Sequence, residues 1–364
     1  MMTYYFKNKK GFSLVEMLIA IAIFSVIMSA IYTAFSIQVK HTSREYKVAE
    51  AEVEVGIAKN IIERELAMAG YGLADDYDYD GDGVQNFTPA AAQATNADPD
   101  TLTLMGTGLG LKSRQSQGWT YIKAETPEFE AWGDAREDLS NGDRVILVEP
   151  NSKKLLAEQV SGTWRWLFQY NGTASNVTTL PTGGTLTNTS KGTLVYGLYG
   201  SGDTAATQPF YAVRYYIKDN SSATDPSNCA TPKTGANRVN SLLRAEDRTT
   251  MTPDGGDSIL SCVRDFQVAF GLDTDENGTI DIWDNGGVQA AGYDAKSLNK
   301  RLKQIRAYVL LQSGNKDLDY TSPATIRVGD ESLSIGRVVT LTTEQRNYRW
   351  RVLSMSITPR NIRK

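Results

Sequence analysis

The sequence predicts an α+β protein, with one long N-terminal helix packed on a large, mainly antiparallel β head. Three observations predict it. Met17 to Ile37 is a run of 21 residues without a charge, a proline or a glycine. Apolar residues at helical spacing then continue as far as Ala69, with only Gly56 intervening. After Gly72 the chain changes to short β-branched and aromatic runs separated by Gly, Asn, Asp, Ser and Thr.

The apolar run comes first. At about 1.5 Å per residue it is long enough to span the hydrocarbon core of a bilayer. Lys7, Lys9 and Lys10 precede it, and Lys40, Arg44 and Lys47 follow, so a count of positive charges leaves its orientation undecided. A secretory signal is cut after its apolar region at small residues, but here the small residue, Gly11, stands before it. Glu16 sits at the head of the run. A carboxylate at membrane depth costs a few kcal/mol and is normally paired, so Glu16 calls for a partner.

The stretch KKGFSLVEM, Lys9 to Met17, resembles the type III signal of type IV prepilins. The resemblance implies that a membrane peptidase cuts between Gly11 and Phe12 and that Phe12 is then N-methylated. It implies that Glu16 meets the new Phe12 amine of a neighbouring subunit during assembly. It also sets the orientation, with the leader in the cytoplasm and the head outside. The head is then expected in the periplasm before assembly, and on the pilus at the cell surface afterwards.

The helix does not stop with the apolar run. Val39, Tyr46, Ala49, Val53, Ile57, Ile61, Ile62 and Leu66 recur at helical spacing, while Glu50, Glu52, Glu54, Lys59, Glu63 and Arg64 fill other positions. Gly70 and Gly72 are stop signals. A helix from about residue 12 to 69 would be roughly 87 Å long. The expected division is a cleaved leader at 1–11, a transmembrane half-helix at 12–37, an amphipathic half-helix at 38–72 and a β-rich head at 73–364. This helix-and-head plan is the type IV pilin-like architecture.

In the head, TLTLMG, DRVILVE, WRWLFQY, TLVYGLYG, FYAVRYYIK, FQVAFGL, IRAYVLLQ and YRWRVLSMSI read as strands. Residues 171–206 are rich in Thr, Gly and Ser and read as a surface excursion. Two acidic loops stand out. In the first, residues 75–87, Asp76, Asp78, Asp80 and Asp82 alternate, with Gly81 and Gly83 among them. Such crowded carboxylates repel one another unless a cation sits between them, and the D-x-D-x-D-G order is the first half of a calcium loop. No glutamate stands at the twelfth position, so a helix-loop-helix hand is not expected. The second loop, residues 273–284, fits better. Asp273, Asp275 and Asn277 fall at positions 1, 3 and 5, and Gly278 at 6. Thr279 could offer its carbonyl at 7, with Asp281 at 9 and Asp284 at 12. Oxygen ligands at this spacing suit Ca²⁺ better than Mg²⁺. With the head outside the cytoplasm, Cys229 and Cys262 are expected to form a disulfide worth roughly 3–4 kcal/mol.

Three further stretches narrow the resemblance. IIERELAMAGYG (Ile61 to Gly72), VRDFQVAFGLDTDENGTIDIW (Val263 to Trp283) and ITPRN (ending at Asn361) resemble PilW-type minor pilins. That family implies a subunit that primes or caps type IV pilus assembly. Its partners would be major and minor pilins, the prepilin peptidase, the inner-membrane assembly machinery and a tip adhesin. A large head also suits a tip or a rare position better than a repeated one. The competing reading is a J-type pseudopilin of type II secretion. A K-type pseudopilin lacks the acid that Glu16 supplies. A calcium-dependent adhesive module at the pilus tip is a third reading.

Composition excludes other classes. The net charge is -4, no basic cluster follows residue 50, and nucleic-acid binding is not expected. The one histidine, His41, lies just past the apolar run, which rules out a Ser-His-Asp device in the head. GTGLGLKS, Gly106 to Ser113, lacks the glycine a phosphate loop needs before its lysine. The protein is not expected to be an enzyme. Trp119, Trp132, Trp164 and Trp166 are read as strand packing rather than as a carbohydrate face.

Overall fold

A computed structural model of the chain describes residues 11, 13–110, 118–123, 129–134, 137–171, 178–179, 191–199, 207–220 and 227–361. They form two compact units, residues 1–52 and 53–364. One helix, α1 (Leu14–Met68), passes through the boundary between them.

In the first unit, Leu14–Val39 is unburied and is long and apolar enough to cross a bilayer. Large side chains such as Leu18, Phe24, Ile27, Ile31 and Phe35 are exposed on all its sides. A helix that is apolar all round belongs in a protein core or a membrane. Two of its hydroxyls are satisfied within the helix. Ser25 donates to the Ile21 carbonyl at 2.7 Å and Thr33 to that of Ser29 at 2.9 Å.

The second unit begins inside the helix, at Val53, rather than after it at residue 73. The reason is packing. Val55, Ala58, Ile62, Leu66 and Ala69 are buried in the main core of the head. Of the stripe the sequence predicts, Ile62 and Leu66 are buried, but Val53 and Ile57 are 64% and 57% exposed, and Val55 and Ala58 take their place. The helix carries two apolar faces, and the sheet takes the one through Ile62 and Leu66. Past its end, Gly70 and Gly72 adopt positive φ. Thr107 lies so close to Gly72 that a Cβ there would meet its hydroxyl at 2.2 Å.

The strands in chain order are β1 (Ala92–Thr95), β2 (Thr101–Gly106), β3 (Trp119–Tyr121), β4 (Arg144–Val148), β5 (Glu158–Val160), β6 (Thr163–Arg165), β7 (Phe168–Gln169), β8 (Thr178–Thr179) and β9 (Leu194–Tyr199). There follow β10 (Tyr211–Ile217), β11 (Asn240–Asp247), β12 (Asp257–Leu272), β13 (Ile282–Asn285), β14 (Leu302–Ser313), β15 (Thr325–Asp330), β16 (Ile335–Thr340) and β17 (Arg349–Ile357). A short helix, α2 (Ala295–Arg301), lies between β13 and β14.

The main sheet has the order β1-β2-β10-β11-β12-β14-β17, with β13 also pairing β12. Each pair is antiparallel. Leu102, Leu104, Tyr215, Phe266, Phe270, Ile305 and Val309 join Ile62 and Leu66 of the helix in one core. On the opposite face, the β15–β16 hairpin covers Ala269, Tyr308 and Leu310 with Val328, Ile335 and Val339. A second sheet, β3-β9-β4-β7-β8, has its own small core of Val145, Leu147, Phe168 and Val195. The expected run WRWLFQY is therefore two strands, β6 and β7, in different sheets. Most of the expected excursion at 171–206 lies outside the described residues, but β9 within it is a central strand with Val195 and Leu198 buried.

Candidate assembly and cation sites

The N-terminal device can be described from Ser13 onward, and Phe12 lies outside the described residues. Ser13 and Glu16 cap the helix reciprocally. The Ser13 N–H donates to Glu16 Oε2 at 2.9 Å, and the Glu16 N–H donates to Ser13 Oγ at 3.2 Å. This is a capping box, and it gives the carboxylate a local partner within its own chain. Gly11 is open, with nothing near the place of a Cβ.

The first acidic loop brings together Asp78, Asp80 and Asp82, each with a carboxylate oxygen within 4.8 Å of the others. Asp76 is not one of this group, contrary to the sequence reading. Its Oδ1 accepts from the Asp78 N–H at 2.9 Å and from the Gln85 amide at 2.8 Å. Burial opposes ionisation of Asp76, but these two bonds and Lys154 hold it below the usual carboxylate range. Asp78 accepts from the Gly81 and Gly83 N–H groups at 2.7 and 3.0 Å, and both glycines have positive φ. The Asp80 Oδ1 atom is buried without a hydrogen-bond partner among the described residues.

The second loop joins β12 to β13. Asp273, Asp275 and Asp281 bring carboxylate oxygens within 4.8 Å of one another. Asp273 is fully buried, and its oxygens accept from the Asn277 and Gly278 N–H groups at 3.0 and 2.7 Å. Lys303 adds a positive charge 3.3 Å away. Burial works against the Asp273 charge, but these donors hold the carboxyl below its ordinary value. Asp281 is also held low, first by the Thr274 hydroxyl and then by the Thr274 N–H. Asn277 lies between, with its Oδ1 accepting from the Thr279 N–H at 2.8 Å and from the hydroxyl at 2.5 Å.

Asp284 departs from the expectation. It belongs to β13, is buried, and places its two oxygens on the Gln289 and Ala290 N–H groups at 3.0 and 2.7 Å. The turn after β13 uses this carboxylate, so the loop's acidic set is three residues and not four. Three clustered carboxylates with an amide oxygen nearby offer the hard donors that suit Ca²⁺.

Cys229 and Cys262 form a disulfide, with Cα atoms 5.0 Å apart and 33 residues of separation. Sequence reasoning missed a buried ionic lock. Arg244 Nε and Nη2 donate to Glu65 Oε1 at 2.9 and 2.6 Å, and Nη1 donates to Glu246 at 2.9 Å. The Tyr215 hydroxyl donates to the other oxygen of Glu65. The lock ties the helix to β10 and β11 from inside the core. Of the tryptophans, Trp166 packs on Phe87 with ring centres 5.8 Å apart, Trp119 and Trp132 lie against each other at 4.6 Å, and Trp164 is 37% exposed.

Residues 214–361, from β10 to the end of the described chain, match the family model described as Type IV Pilus-assembly protein W. Residues 6–32 match the prokaryotic N-terminal methylation motif. No curated protein matches the chain. A type IV-like pilin from Thermus thermophilus is similar in structure at 8% sequence identity, covering 86% of this chain and 98% of its own, with a TM-score of 0.34. At that score the likeness carries no argument. The methylation-motif match covers the prepilin-like stretch Lys9 to Met17, and the pilus-assembly match covers Val263 to Trp283 and the stretch ending at Asn361, while Ile61 to Gly72 lies outside both.

Proposed function

We propose that this chain, with a prepilin-type methylation motif at its N-terminus and a PilW-type match over residues 214–361, works as a minor pilin that primes or caps the type IV pilus filament. The observation that supports it most is the pairing of a prepilin N-terminus with a head whose C-terminal part matches the pilus-assembly family. In this reading a membrane peptidase cuts after Gly11 and Phe12 is methylated. Glu16 then exchanges its bond from the Ser13 N–H for the positive Phe12 amine of a neighbouring subunit. A buried opposite charge fixes register, because a mismatched neighbour leaves the carboxylate unpaired. The pilin matches point to a structural protein rather than a catalyst.

Glu16→Ala tests the exchange. The variant should insert and be cut after Gly11, yet be missing from sheared filaments. Normal incorporation would overturn the role given to Glu16. A J-type pseudopilin would share all of this chemistry, and the distinction rests on which machine fails when the chain is lost.

A second reading concerns the head. The three carboxylates of the loop after β12 support calcium as a stabilising ion, with the Asp78–Asp82 loop as a weaker candidate. A chelator should lower the melting temperature of the chain, and Asp273→Ala should remove most of that response. A melting curve indifferent to chelator would defeat the calcium reading.

A further inference from the structure

A cleft of about 590 Å³ lies beside β1, the four-residue edge strand of the main sheet, far in sequence from the N-terminal device. Its volume falls within the roughly 300–1,000 Å³ of small-molecule sites. Strand register builds one wall. Gln93 stands opposite Thr103, and Thr103 stands opposite Arg214, so three strands bring an amide, a hydroxyl and a guanidinium side by side. Thr95 stands opposite Thr101 in the next row. Ala290, Ala291, Tyr293 and Leu298 supply apolar surface to the same cleft. Asp294 also lines the cleft; its Oδ1 accepts from the Ser297 N–H at 2.7 Å and caps α2, and the Ser297 donors hold the carboxyl in its charged form.

Arg214 is the unusual member. It is the one basic side chain among the described residues that line this cleft. Its guanidinium lies over the Tyr216 ring, 4.8 Å from the centre; no hydrogen bond or close ion pair holds it among the described residues, and the Asp254 carboxylate, which accepts from the Tyr216 hydroxyl at 2.9 Å, feels its charge from farther off. A guanidinium stacked in this way keeps its fork of N–H groups free for a planar, singly charged acceptor, and a carboxylate fits that fork in bidentate fashion. A phosphate would call for more positive charge than one arginine supplies. Around it are threonine hydroxyls, each able both to donate and to accept. That inventory matches a ligand dense in hydroxyl groups, and the alanines and Tyr293 match its C–H faces.

We propose that this cleft is a binding site for an acidic saccharide, with Arg214 holding the sugar carboxylate and Gln93, Thr95, Thr101 and Thr103 bonding the ring hydroxyls. The site does not rest on the pilus-assembly reading. It is tested on the purified chain, and its failure would leave that reading intact.

The test is calorimetric titration of the full-length chain in detergent with trigalacturonate, with maltotriose as the neutral sugar and trialanine as a carboxylate without sugar hydroxyls. Trigalacturonate should bind at least about tenfold more tightly than either control, as expected for one charge-assisted contact. Arg214→Gln should weaken it by about tenfold or more. Arg214→Lys keeps the charge but loses the fork and should fall between. Thr103→Val keeps the shape and should weaken binding by a few fold, which preserves the test if Arg214→Gln fails to fold. The proposal is overturned if trigalacturonate gives no binding, if maltotriose or trialanine binds as well, or if the variants that fold titrate like the parent chain.

Discussion

Glu65 shows how much one residue can decide. It is 1% exposed, and its partner Arg244 is 7% exposed, so both charges are committed to each other inside the core. Removing one partner of such a pair typically costs about 3–5 kcal/mol because the other is left buried and unpaired. Arg244→Ala should therefore destabilise the chain by about that amount in denaturant unfolding, and a loss below about 1 kcal/mol would contradict the lock. Nothing local announces it. Glu65 is one of several glutamates on a charged helix, and Arg244 is 179 residues away. Asp100 is a second buried acid, accepting from the Val268 N–H at 2.8 Å and the Ala97 N–H at 3.3 Å. Burial pushes it up to about 7 despite these bonds. Asp265 is pushed up to about 7 by burial as well, although the nearby Arg264 charge favours its ionised form, and the neighbouring Asp100 adds to the rise. A carboxyl raised in the folded state above its usual value of about 4 contributes its stability in full below that value. The contribution is lost as pH rises through about 7. Melting should thus be higher at about pH 6 than at about pH 8, and Asp100→Asn should flatten the difference. An Asn variant with the parent's full slope would contradict this account.

At the scale of elements, legibility follows the locality of the signal. The helix could be read because its evidence is continuous, and the structure gives it as Leu14–Met68. Its buried face could be read only toward the end, at Ile62 and Leu66, because earlier Val53 and Ile57 fit an apolar stripe as well as Val55 and Ala58 do, and only the sheet chooses. The capping box was legible in principle: Ser13 and Glu16 stand at S-x-x-E spacing directly before an apolar run. Strands with dense aromatic and β-branched content, such as β10 and β14, were readable. β11 (NSLLRAED) was not, since it carries Arg244 and Glu246 inward in a strand whose composition reads as helix or loop. In the loop after β12 the structure gathers Asp273, Asp275 and Asp281 of the acidic residues that the template picks out. Asp284 stands apart from them, because a twelve-residue template assumes a following helix, and here β13 takes the carboxylate for its own turn. For the same reason Asp284→Asn should leave any calcium response of the melting temperature largely unchanged, whereas Asp273→Ala should not. A calcium response lost equally in both would restore Asp284 to the ligand set.

For the whole molecule, the division of labour follows from solvent. One unit presents an unburied apolar helix that only a membrane or neighbouring helices can cover. The other buries its own segment of helix under an antiparallel sheet and braces it with the Cys229–Cys262 bridge. The assembly role rests on the first, and any ligand specificity on the second. The most direct test of the assembly role is a clean deletion of the gene, with surface pili counted and secreted proteins assayed, and with the parent chain and Glu16→Ala used for complementation. Loss of pili with secretion intact, restored by the parent chain and not by Glu16→Ala, is the predicted result. Normal pili with failed secretion would contradict it and make the chain a secretion pseudopilin.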